Sequence, residues 1–274
     1  VNQSLLAIGA EAKELKKIMF DHTSWKKFDY DSDIANWVGT AHQVARAIVA
    51  DPKMRATWLQ CEGTWFVGVD VLPSDEAGTL ADTLLKGRVM DWLSQIATKP
   101  MHPAQLSVIY NGYPKPRKGE NDRAFNYRLK RDAAHVDGLL PVGEARSRIL
   151  KEPHAYILGL PLNSCAPDAS PLVIWEGSHI VMAETFDKAL KDKSPQEWDT
   201  INLTDVYQAA RRHVFETCPR VAVHAEPGEA YVVHRLALHG VAPWADGAAA
   251  PKEGRMIAYL RPELADVSQW TDVK

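Results

Sequence analysis

The sequence predicts a mixed fold in which helices support a closed or double-layer β structure. Three observations carry that expectation. Apolar residues recur at helical spacing through much of the first hundred residues. After Pro100 the texture changes to about eight short runs rich in β-branched and aromatic residues, each bounded by turn formers. The 274 residues, 46 % apolar and 24 % charged, suit one domain with a sizeable core.

The elements follow in order. Leu5–Phe20 places Leu5, Leu6, Ile8, Leu15, Ile18 and Met19 on one helical face. Asp31–Ala50 repeats the pattern with Ile34, Trp37, Val38, Ala41, Val44, Ala45 and Ile48. Gly63–Leu72 reads as a strand, and Asp75–Ala97 returns to helix through Leu80, Leu84, Leu85, Val89, Met90, Trp92 and Leu93. The later strands are Gln105–Tyr110, Ala133–Asp137, His154–Leu162, Pro171–Trp175, Val221–His224, Glu229–His234, Ala237–Ala242 and Arg255–Leu260. Met182–Phe215 interrupts them with a helical pattern and reads as an insertion at about 182–215. Residues 1–274 thus read as a single domain, with a mostly helical support over 1–100 and a β core over 105–262.

Bulk properties exclude several classes of function. A net charge of −3 gives no electrostatic case for nucleic acid or an anionic membrane. Cys61, Cys165 and Cys218 are far apart and form no Cys-x-x-Cys pair, so free thiols in a reducing compartment are expected. The apolar run Leu5–Ile8 is too short for a signal, and no run approaches the roughly 18 residues of a membrane span. The expectation is a cytoplasmic protein.

The chemistry-bearing feature is "AAHVDG". Alternate residues of a strand share one face, so His135 and Asp137 can offer a nitrogen and an oxygen to one metal ion. His239, on a distant strand, would supply a third ligand. Two histidines and one carboxylate leave coordination positions open, the arrangement of non-haem Fe(II) oxygenases. The plainer alternative is a surface histidine beside a turn aspartate.

Four segments, in order, resemble one family. They are "AAHVDG", "ASPLVIWEGSHIV", "PGEAYVVHRLALHGVAPW" and "GRMIAYL". Over about residues 105–262 the chain resembles the phytanoyl-CoA dioxygenase-like branch of the Fe(II)/2-oxoglutarate-dependent oxygenases. The resemblance implies a double-stranded β-helix, the jelly-roll or cupin-like core. It implies Fe(II) held by His135, Asp137 and His239, with 2-oxoglutarate as cosubstrate. Arg255, opening the closing strand, would bind the cosubstrate's distal carboxylate. The implied reaction uses O2, releases succinate and CO2, and hydroxylates a C–H bond of a small molecule.

The chain departs from the family's pattern at Glu176, Glu229, Val241 and the spacing of Arg255, sixteen residues beyond His239. Val241 stands where many members carry a cosubstrate-binding serine. Arg261, in the same side-chain phase as Arg255, is the rival anchor and is expected at the strand's exit. His234 has the opposite phase from His239, and His154, His179 and His224 carry no site signal, so all four read as structural. Lys115, Arg117, Lys118, Arg123, Arg128, Lys130 and Arg131 lead into the metal strand. Such a run is ordinarily a solvated face, though its place admits an anionic substrate. Trp244 is a candidate pocket wall. Two other functional classes fit the same ligands: a non-catalytic β-helix binding module, and a cupin-like metalloenzyme using Mn, Ni or Zn without 2-oxoglutarate.

Overall fold

The computed structural model describes residues 23–273. The helix expected over Leu5–Phe20 lies outside the described residues. The chain opens with β1 (Trp25–Phe28), α1 (Ser32–Ala50), α2 (Pro52–Trp58), β2 (Leu59–Gln60) and β3 (Trp65–Leu72). Then come α3 (Arg88–Leu93), β4 (Ala104–Ile109), α4 (Asp122–Lys130) and the hairpin β5 (Leu139–Val142) to β6 (Ser147–Leu150). The remainder is β7 (Tyr156–Pro161), β8 (Leu172–Trp175), α5 (Ser178–Leu190), α6 (Thr204–Thr217), β9 (Arg220–Val223), β10 (Ala230–His234), β11 (His239–Val241) and β12 (Arg255–Leu260). No helix among the described residues is long and apolar enough to cross a membrane.

The strands form a large sheet, ordered β1-β10-β7-β12-β4-β3-β2, and a small one, ordered β11-β8-β9. All their pairings are antiparallel and nested: β8 with β9, β7 with β10, β8 with β11, β7 with β12, and β4 with β12. This is the double-stranded β-helix. Alternation along each strand separates an inner from an outer face. Ile157, Tyr231, Val233 and Ile257 of the large sheet meet Leu172, Ile174 and Val223 of the small one. Met256, Ala258 and Leu260 point the other way, into the core shared with the helices.

α1 forms where the sequence predicts it. Asp31 caps it by accepting from the Asp33 N–H, and Ile34, Trp37, Val38, Ala41 and Ala45 make its buried stripe. Asp51 ends α1 and caps α2, with Pro52 in the first turn.

Two expected elements are corrected. Asp75–Ala97 is not one helix, and only Arg88–Leu93 is helical. The Asp75 carboxylate accepts from the N–H groups of Ala77 and Thr79, and Gly78 turns at φ +81°. A side chain that satisfies nearby backbone in this way competes with the helix. Leu80 and Thr83 then exchange their backbone hydrogen bonds. The strand expected over Ala133–Asp137 shrinks to one bridge, His135 with His239. Asp132 and Ala133 before it, and Gly138 after it, take positive φ, so the ladder cannot continue. β1 and β2 also join the large sheet, which the apolar periodicity did not indicate.

Candidate metal centre

His239 lies on β11 opposite Ile174 and so faces the space between the sheets. His135 and His239 exchange both backbone hydrogen bonds, at 2.8 and 3.0 Å. Gly240 makes that approach possible. A Cβ there would stand 2.2 Å from the Asp132 carbonyl oxygen, closer than any side chain allows. Asp132 is in turn fixed from the small sheet by Arg220, which donates to both carboxylate oxygens at 2.7 and 3.0 Å. The short segment is therefore anchored on β11 and β9 without forming a strand.

His135 and Asp137 flank Val136, which is buried on the outer side, and their own side chains turn toward His239. Asp137 Oδ1 lies 3.0 Å from His135 Nε2 and 3.6 Å from His239 Nε2. One ligand atom from each residue falls within 4.8 Å of the other two. The Nδ1 of His135 faces the Ala133 carbonyl at 3.0 Å, and that of His239 faces the Ala237 carbonyl at 2.9 Å. A carbonyl only accepts, so each Nδ1 carries a proton and each Nε2 is left to serve as a ligand. Three lone-pair-bearing atoms then converge, and a proton or a metal cation must sit among them. The side chains of Asp137 and His239 are 10 % and 8 % exposed, whereas that of His135 is 47 % exposed, so the centre opens to solvent on one side.

Charges set the protonation. Burial pushes the Asp137 carboxyl up, but the Arg261 guanidinium and the two imidazoles outweigh it and hold it well below the usual carboxylate range. Burial pulls His239 down, and the Asp137 carboxylate more than reverses that. Arg261 lies at the exit of β12, as the sequence suggested, and there it turns back to Asp137. Its Nη1 donates to Asp137 Oδ2 at 3.1 Å, and its Nη2 donates to Gln105 Oε1 at 2.5 Å. His154 donates from Nδ1 to the Arg261 carbonyl at 2.9 Å, a partnership with no sequence signal. Arg261, Gln105 and Tyr259 also wall a cavity of about 110 Å³.

Arg255 opens β12 on the same inward face as Ile257. It is buried, and its Nη1 has no hydrogen-bond partner among the described residues. With Tyr231, Asn163, Cys165, Pro171 and Ile257 it lines a cavity of about 20 Å³, room for roughly one water. Asn163 steadies the backbone on both sides, donating to the Gly254 carbonyl at 2.8 Å and accepting from the Met256 N–H at 3.0 Å. Burial pushes the neighbouring Cys165 thiol up to about 11, which leaves it unreactive.

His179, His234 and His224 stand apart from this group. His179 Nδ1 is 2.6 Å from Ser24 Oγ, and its ring lies 4.7 Å from that of His234. Burial holds His234 well below the ordinary imidazole value. His224 pairs with Glu226. Within the basic run, Arg128 pairs with Glu120 in the interior, Arg117 stacks over Trp65, and Arg131 stacks over Phe215. Lys115, Lys118, Arg123 and Lys130 are exposed. Trp244 packs with Cys61, Ile109, Tyr113 and Ala169. The sequence reading missed Gln105, Asp132 and Arg220, whose roles depend on partners far along the chain.

No protein-family model matches the chain, and no curated protein matches it. Solved structures share its chain path at low identity. EctD from S. alaskensis with bound Fe is 15 % identical, with a TM-score of 0.48 over 91 % of this chain and 75 % of that one. AviO1 from Streptomyces viridochromogenes Tue57 is 14 % identical, with a TM-score of 0.47 over 90 % and 93 %. The epimerase SnoN in complex with Fe3+, alpha ketoglutarate and nogalamycin RO is 12 % identical, with a TM-score of 0.46 over 93 % and 84 %. Likeness of this degree carries no chemistry across, and the functional reading rests on the side chains described above.

Proposed function

We propose that this chain is an Fe(II)- and 2-oxoglutarate-dependent oxygenase that hydroxylates a C–H bond of a small molecule. The observation that carries the reading is the convergence of His135 Nε2, Asp137 and His239 Nε2 within 4.8 Å. Two imidazoles and a carboxylate suit a borderline first-row cation and leave open positions on it. The order of the four sequence segments supports the phytanoyl-CoA dioxygenase-like branch in particular.

Arg255 supports 2-oxoglutarate as the cosubstrate. Its buried Nη1, without a partner among the described residues, is suited to a carboxylate. Position along the small sheet agrees. β11 rises about 3.4 Å per residue, so Val241 lies about 7 Å beyond His239. The partner of Val241 across the sheet is Leu172, next to Pro171 in the wall of the Arg255 cavity. A five-carbon dicarboxylate spans that interval. It needs more room than one water, so the wall around Arg255 and Tyr231 must open to admit it. Val241 offers no hydroxyl, so the anion depends on Arg255. With metal and cosubstrate bound, the chemistry supplied is oxidative decarboxylation to succinate and CO2 coupled to oxidation of a C–H bond. The chain's share is to bind and orient both, and to exclude water from the inner end of the barrel.

A cupin-like site without 2-oxoglutarate would keep the triad but leave Arg255 buried without a purpose. The decisive experiment supplies the protein with Fe(II), 2-oxoglutarate and O2 and measures succinate, alone and with panels of small metabolites. Succinate formation that requires Fe(II), and rises with one class of metabolite, is expected. Failure to form succinate in the metal-loaded protein under every condition would overturn the oxygenase reading.

A further inference from the structure

One half-buried charge next to the metal centre has no part in that reading. Arg261 is neither exposed nor aimed at the Arg255 cavity, and its two terminal nitrogens are taken up by Asp137 and Gln105. We infer that Arg261 is a positioning residue that confines Asp137 to one-oxygen ligation, an inference that rests on the metal role proposed above for His135, Asp137 and His239.

A carboxylate binds a metal through one oxygen or both. Asp137 turns Oδ1 toward the two Nε2 atoms, at 3.0 and 3.6 Å, and gives Oδ2 to Arg261 at 3.1 Å. The guanidinium would thus hold Oδ2 away from an ion bound by the triad. Three protein atoms then fill three positions, and three remain for a chelating cosubstrate and O2. Were Oδ2 free to swing in, the carboxylate would take a fourth. Arg261 is itself fixed at both ends: Gln105 accepts from its Nη2, and His154 donates to its carbonyl. A planar fork can bridge a carboxylate and an amide in this way, whereas a lysine ammonium can cap Oδ2 but reaches Gln105 less well. The same geometry favours Arg255 over Arg261 as the cosubstrate anchor, because both terminal nitrogens of Arg261 are engaged by Asp137 and Gln105 while Arg255 Nη1 has no partner among the described residues.

The test uses Co(II), whose visible bands report its coordination, titrated into the wild-type chain and Arg261→Met, Arg261→Lys and Gln105→Leu variants. Circular dichroism checks that each is folded. Partners of metal ligands typically change affinity by about 10–100-fold when removed. Arg261→Met should bind Co(II) weaker by about that factor and show an altered spectrum. Arg261→Lys should recover part of the affinity and most of the spectrum, and Gln105→Leu should lose less than Arg261→Met. If Arg261→Met does not fold, Arg261→Lys and Gln105→Leu must still fall below the wild type in affinity. Wild-type affinity and spectrum in all the folded variants would refute the role of Arg261 and leave the triad standing. Wild-type Co(II) binding that a His135→Ala/Asp137→Ala variant matches would remove the triad reading itself, and Arg261 with it.

Discussion

Asp137 is the residue on which the site turns, because it faces two imidazoles on one side and a guanidinium on the other. A His135→Ala/Asp137→Ala double variant should lose stoichiometric Fe(II), measured by metal analysis after gel filtration; full occupancy would contradict the assignment. Arg255→Ala should weaken 2-oxoglutarate by about 2–5 kcal/mol, tens to thousands-fold, as a desolvated charge pair is lost. Its metal affinity should stay at the wild-type level, which separates Arg255 from Arg261 in one pair of titrations. The triad was legible because three residues with ligating side chains stood at a telling spacing. Arg261 was not: its phase along β12 was readable, but its partner Asp137 is 124 positions away. Nothing local distinguishes an arginine that leaves a strand from one that turns back into the core.

At the scale of elements, the centre depends on one missing side chain. Gly240→Ala would drive a methyl group into the Asp132 carbonyl and part β11 from the His135 segment. Metal affinity should fall while far-UV dichroism stays near wild type; unchanged affinity would show that the two segments can separate without moving the ligands. The loop ahead of α4 is held by the buried Glu120–Arg128 pair. Arg128→Met should destabilise the chain in urea unfolding, since Glu120 loses its guanidinium partner and keeps only the Arg117 N–H. Burial pushes the Glu120 carboxyl up, but the Arg117 N–H and the Arg128 guanidinium hold it below its ordinary value. Its folded value is therefore depressed, and its contribution is complete above the unfolded value and lost as pH falls through the folded one. The stability gap between wild type and Glu120→Gln should accordingly narrow on acidification below pH 4.5, the ordinary glutamate value. A gap that widens there would reverse the sign. Strand positions were readable wherever alternation was supported by burial, and β12 coincides with its predicted bounds. Asp75–Ala97 misled because apolar spacing does not register a carboxylate that closes a turn on its own backbone.

For the whole molecule, the nested pairing brings residues from both sheets to one interior. The triad belongs to the small-sheet side through β11, and Arg255 reaches in from the large sheet through β12. A metal-bound dicarboxylate would therefore tie the sheets together. The two-layer architecture could be read from strand spacing after Pro100, but not which strands pair, because partners such as β4 and β12 lie some 150 residues apart. One ion and one cosubstrate would share this interior, and calorimetric titration of 2-oxoglutarate under anaerobic conditions tests that sharing. With Fe(II) present, the wild-type chain should bind one equivalent. Without metal, or in Arg255→Ala, binding should weaken by at least about tenfold. Binding that is equally tight with and without the metal, or equally tight in Arg255→Ala, would contradict the account.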